Sequence, residues 1–64
     1  MLFRSLEQAL LRLPDEQRVV FCLRVLLEQP VADVARALDV DEGTVKSRLS
    51  RARAALQASL GDLP

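Results

Sequence analysis

Lys46, Arg48, Arg51 and Arg53 stand close together in the stretch Gly43-Thr44-Val45-Lys46-Ser47-Arg48-Leu49-Ser50-Arg51-Ala52-Arg53, with no acidic residue among them. Ammonium and guanidinium groups bind phosphate, and a guanidinium also pairs through two parallel hydrogen bonds with a planar partner such as guanine. The residues interleaved with these cations are small or apolar. The chemistry on offer is therefore recognition of a polyanion.

The charge balance sharpens this reading. The chain is neutral overall, with nine Lys and Arg against nine Asp and Glu. From Gly43 to Leu56 it has four cations and no acid, whereas the remainder holds five arginines against nine carboxylates. Such separation turns one face toward a polyanion and the rest away from it.

Little points to catalysis. There is no histidine, no evident cleft with paired carboxylates and no phosphate-binding loop, so no catalytic or cofactor-binding residue is expected. Cys22 is the only cysteine, which rules out an internal disulfide or a clustered-cysteine zinc site, and no metal site is expected. Inside an apolar run it reads as a core residue. The N-terminal MLFRSLEQ lacks a basic segment followed by an apolar run, and no apolar stretch approaches the roughly 20 residues of a membrane span. A cytoplasmic location and no membrane partner are expected.

These residues need a scaffold. With 64 residues, half of them hydrophobic, the chain is expected to form one small domain over residues 1–64. A domain of this size buries only about 60% of the surface its unfolded chain exposes. Abundant Leu, Ala, Arg, Glu and Gln, with two glycines and two aromatics, favour helix over strand.

Ser5 with Gln8 fits a capping box, and Leu6, Leu10 and Leu13 come next at helical spacing, predicting a first helix over 5–12. Pro14, read as a first helical residue, opens a second helix over 14–27, with Asp15 and Glu16 matched to its dipole. That helix is apolar almost all round, Phe21 included, and is predicted to be the central and most buried element. Pro30 opens a third helix over 30–38, with Val31, Val34, Ala35 and Leu38 on one face. After the turn Asp39-Val40-Asp41, Asp41 is expected to cap a fourth helix over 42–60, with Gly61 as its stop. The fold class is thus all-α: a small four-helix domain with a helix-turn-helix. Ala35 falls where the last two helices cross, and Val40 plugs the corner.

At about 100° per residue, Leu49, Ala52 and Leu56 lie within about 40° of Val45 and form the face to be buried. Opposite them fall Gly43, Ser47, Ser50 and Ala54, all small. Lys46 and Arg53 occupy one flank of this ridge, and Arg48 and Arg51 the other. A B-DNA major groove is about 12 Å wide and walled by phosphates, so a narrow-crested helix reaches base edges while its flanking cations meet the walls. Gly43 permits close backbone approach, with helix-start N–H groups and Thr44 toward a phosphate. Exposed arginines are commonly no more than a solvated face. Here the missing acids, the small ridge residues and the preceding tight turn together favour DNA.

Leu13-Pro14, Gln17-Arg18-Val19-Val20, Leu23-Arg24, Val31-Ala32-Asp33-Val34-Ala35 and the stretch Gly43 to Arg53 resemble the C-terminal DNA-binding domain, domain 4, of bacterial sigma factors of the extracytoplasmic-function (ECF) type. The resemblance runs from about Leu6 to Leu60. It implies the sigma domain 4 fold of the winged-helix-like DNA-binding superfamily and a role in directing RNA polymerase to promoters. The fourth helix would enter the major groove of double-stranded promoter DNA at the minus-35 element, and the domain would be tethered to the polymerase core through the β-subunit flap. Carried over position by position, Lys46, Ser47, Ser50 and Arg51 match groove-facing or base-facing sites, while Thr44, Arg48 and Arg53 match backbone contacts. Polymerase docking would use apolar surface on the first two helices.

Asp39 and Glu28 stand where that family commonly has glycine, and Pro30 where it commonly has a Ser or Thr cap. A left-handed Asp39 is expected to cost on the order of 1 kcal/mol. No segment for minus-10 recognition or DNA melting is present, so the chain is expected to be a fragment of a longer sigma factor. Two other readings stay open: a sigma-like interaction module bound by an anti-sigma factor or other regulator, and a LuxR-type helix-turn-helix domain. The latter shares Thr-Val-Lys, but the Ser-Arg-Ala-Arg continuation favours the sigma reading.

Overall fold

The structure is a computed structural model; it describes residues 2–60, with side chains from Leu6 to Ser59. Its elements are α1 (Leu2–Arg12), α2 (Asp15–Phe21), a π-helical segment (Cys22–Leu26), α3 (Val31–Leu38) and α4 (Glu42–Leu60). The described residues contain no strand, and the all-α class expected from composition holds.

Helix starts differ from expectation in an instructive way. Pro14 (φ −55°, ψ 149°) and Pro30 (φ −61°, ψ 152°) each stand one residue outside their helix, in extended backbone. Their carbonyls accept the first helical hydrogen bonds, from the N–H groups of Arg18 and Val34, each at 3.0 Å. Proline's fixed φ serves the N-cap residue as well as the first helical one, and its ring cannot donate in either place. Ser5 is not a cap: α1 is already under way at Leu2. The expected stop at Gly61 lies outside the described residues.

The second helix does not run on as one α-helix. The Leu27 N–H donates to the Cys22 carbonyl at 3.0 Å, five residues back, and the Gln29 N–H reaches the Leu23 carbonyl, also at 3.0 Å. A π turn inserts one residue relative to the α repeat and sets the residues after it about 100° out of phase. In an unbroken helix Leu27, seven residues after Val20, would share its buried stripe. Instead Val20 is fully buried while Leu26 is 51% and Leu27 63% exposed. The expectation that this helix is the most buried element is therefore corrected. Its inner face packs on α3 and α4, its outer face is open, and Cys22 is only half-buried.

Both glycine-like positions are real. Glu28 (φ 55°) and Asp39 (φ 57°) adopt the left-handed backbone that reverses the chain after a helix. At the end of α3, the Asp39 N–H donates to the Arg36 carbonyl at 3.3 Å and the Val40 N–H to the Ala35 carbonyl at 3.0 Å. This is a Schellman motif, and it folds Val40 back onto the core.

The core has two parts, joined by α4. Val20, Val34, Ala35, Val45 and Leu49 form one cluster beneath the helix-turn-helix. Ala9, Leu13, Ala52 and Leu56 form the other, between α1 and the second half of α4. Phe21 touches both clusters. The stripe Val45, Leu49, Ala52 and Leu56 is buried along its whole length, with no member more than 7% exposed. With 19 residues at about 1.5 Å each, α4 is about 28 Å long, in a molecule whose longest extent is 33 Å. Its first half is seated by α2 and α3 and its second half by α1.

Candidate nucleic-acid interface

The surface of interest starts at the turn before α4. Asp41 caps this helix as expected: its Oδ1 accepts the Thr44 N–H at 2.7 Å and its carbonyl accepts the Val45 N–H at 3.2 Å. Hydrogen bonds from the Thr44 side chain first, and from its backbone N–H second, hold the Asp41 carboxyl below its ordinary value of 3.8. The Thr44 N–H is thus engaged within the protein. That N–H is therefore not a free donor for a phosphate, and the Thr44 side chain is half-buried.

Beyond the cap, helical spacing sets the side chains as the sequence implies. Gly43, Ser47, Ser50 and Ala54 are exposed and form a low ridge opposite the buried stripe. A Cβ on Gly43 would meet nothing closer than Asp41 Oδ1 at 3.7 Å, an ordinary contact. Packing therefore does not demand glycine there, and what its absent side chain leaves open is the outside of the helix. Lys46 and Arg53 are exposed on one flank and Arg51 on the other. None of the three has an acidic partner among the described residues.

Arg48 departs from that pattern. Its Nη2 lies 3.1 Å from Glu16 Oε2, and its side chain is only 27% exposed. The stretch is free of acids along the chain but not in space. Glu16, in the first turn of α2, is the charged group that reasoning from sequence missed, since the helix dipole already supplied a sufficient local reason for it. Its neighbour Asp15 is satisfied locally by Arg18, whose other Nη reaches the carbonyls of Leu11 and Leu13 at the end of α1. Glu16, Gln17, Thr44, Ser47, Arg48 and Arg51 line an open notch of about 450 Å³ between α2 and α4. The structure thus gathers all seven candidate residues on α4, exposes Lys46, Ser47, Ser50, Arg51 and Arg53, and leaves Thr44 and Arg48 partly covered.

A second open surface lies on the first two helices. Leu11 is 72% exposed and Val19 39%, in addition to Leu26 and Leu27. Leu6, Leu10 and Leu26, with Glu7, line a shallow apolar hollow of about 340 Å³. No helix among the described residues is long and apolar enough to cross a membrane.

Comparison with known proteins gives the chain's relatives. The family model described as "Sigma-70, region 4" matches residues 3–56. The chain is 49% identical over 59 residues to the ECF RNA polymerase sigma factor SigM of Mycobacterium tuberculosis, covering 92% of this chain and 30% of that protein. It is 37% identical over 62 residues to the ECF RNA polymerase sigma factor SigW of Bacillus subtilis, covering 97% of this chain and 33% of that protein. The chain therefore spans about a third of the length of the curated relatives it matches.

Proposed function

The chain belongs to the sigma-70 region 4 family of helix-turn-helix domains, in its ECF branch, and from that premise we propose that it binds double-stranded promoter DNA at the minus-35 element. In this reading α4 lies in the major groove, and the domain acts as part of an ECF sigma factor that brings RNA polymerase to promoters to initiate transcription. It is a binding module and not an enzyme. The observation that carries the proposal is the outer face of α4, a ridge of Gly43, Ser47, Ser50 and Ala54 between Lys46 and Arg53 on one side and Arg51 on the other. Lys46, Ser47, Ser50 and Arg51 face base edges, and Arg53, Arg48 and Thr44 face the phosphate walls.

The open apolar surface on α1 and α2 supports a protein partner as well. We assign it to docking on the RNA polymerase core through the β-subunit flap, and to an anti-sigma factor where one acts. With these partners, the proposed location is the cytoplasm. Titration of labelled minus-35 duplex and of random duplex, each at several salt concentrations and with and without the β flap, tests the reading. Expected are a linear fall of log affinity with log salt, tighter binding to the promoter duplex, and a gain on adding the flap. Equal affinity for both duplexes at every salt concentration refutes sequence-specific recognition.

A further inference from the structure

Glu16 and Arg48 form the only ion pair that joins two different helices among the described residues; the Asp15–Arg18 and Asp33–Arg36 pairs each lie within one helix. Its geometry bears on how tightly the domain holds DNA of the wrong sequence. The inference rests on the DNA-binding reading above and adds a specificity-determining residue from outside α4.

We propose that Glu16 restrains non-specific DNA binding by neutralising Arg48 at the edge of the DNA-facing surface. The carboxylate lies in the same notch as Thr44, Ser47 and Arg51, on the flank where a phosphate wall would pass. It remains 63% exposed even while it holds Arg48. Asp41, the other acid lining this notch, is occupied by its cap on Thr44. The flank that carries two cations in sequence thus presents one, Arg51, and the opposite flank presents two, Lys46 and Arg53. A duplex of any sequence offers the phosphates that attract free cations, so each cation held back lowers the sequence-independent part of the affinity. Base contacts made by the ridge are untouched, and the ratio of specific to non-specific binding rises.

The pair should behave as a unit. Glu16→Gln removes one negative charge and frees Arg48 for a phosphate. That steepens the dependence of log affinity on log salt by about 0.9 and raises affinity for random duplex up to about eightfold at 0.1 M salt. Arg48→Gln leaves Glu16 unpaired against the phosphate wall and moves random-duplex affinity in the opposite direction. The Glu16→Gln/Arg48→Gln double variant carries no charge at either site and returns close to the wild-type slope. Both residues are at the surface, and circular dichroism verifies that each variant is as helical as the wild type.

If Glu16→Gln weakens binding or leaves the salt slope unchanged while the wild type still prefers the promoter duplex, the inference falls and the DNA-binding reading stands. In that case Arg48 contacts phosphate while still paired, with Glu16 merely orienting it. A wild-type chain that binds no duplex overturns both.

Discussion

Val45→Ala tests whether α4 is seated as described. Val45 is fully buried between α2, α3 and α4, in the cluster with Val20, Val34, Ala35 and Leu49. The substitution deletes two methyl groups. At about 0.8 kcal/mol per buried carbon their transfer to solvent costs about 1.6 kcal/mol, and an unfilled cavity adds to this, for a total of about 2 to 3 kcal/mol. At roughly 0.05–0.15 kcal/mol per residue, a chain of 64 residues has only about 3 to 10 kcal/mol of stability in all. For a domain of this size each kcal/mol corresponds to roughly 4–8 °C, so Tm should fall by roughly 10 to 20 °C. Thermal unfolding monitored by circular dichroism at 222 nm measures this, with Leu11→Ala as the control. Leu11 is 72% exposed, and its truncation should shift stability by no more than about 0.5 kcal/mol. Equal melting temperatures for the two variants would mean that Val45 does not hold the helix, and the assignment of α4's inner and outer faces would fail with it.

The same geometry predicts three further outcomes. Arg51→Ala should weaken binding to the promoter duplex by roughly 1 to 3 kcal/mol and relax base preference, whereas Arg53→Ala should weaken promoter and random duplex about equally; equal losses on both duplexes for Arg51→Ala refute its base-facing role. Leu38, half-buried against the first cluster, should on truncation to Ala destabilise the domain by about 2 kcal/mol or more, measured by urea unfolding. Asp41 has a folded-state pKa below its ordinary value of 3.8, so its cap contributes fully above that pH and is lost as pH falls below 3.8 through the depressed folded value. Acid titration of helicity should therefore show Asp41→Ala less stable than wild type at neutral pH, with the difference shrinking in strong acid. A difference independent of pH rules the charged cap out.

Much of the site was legible in sequence because α4 is amphipathic in one simple way. Val45, Leu49, Ala52 and Leu56 repeat at helical spacing, each is buried, and everything opposite them is set by rotation about one axis. The turn was legible for a different reason: Asp39 and Asp41 have side chains suited to a left-handed backbone and a helix cap, and both take those roles. The π turn was not, because the run Cys22 to Leu27 is apolar apart from Arg24 and a change of phase leaves no mark where nearly every position is alike. The start of α1 was obscured because Ser5 and Gln8 fit a capping box that the chain does not use, the helix beginning at Leu2.

Glu16 shows the deeper limit. A carboxylate in the first turn of a helix already has a favourable local environment, so its sequence position demands no second partner. Only the packing of α2 on α4 sets it 3.1 Å from Arg48. That contact divides four cations that look equivalent in the sequence, since a guanidinium already held by a carboxylate releases fewer counterions on meeting phosphate than a free one. The charge that α4 exposes is therefore a property of the fold: Lys46, Arg51 and Arg53 have no acidic partner among the described residues, while Arg48 is held by a residue on another helix.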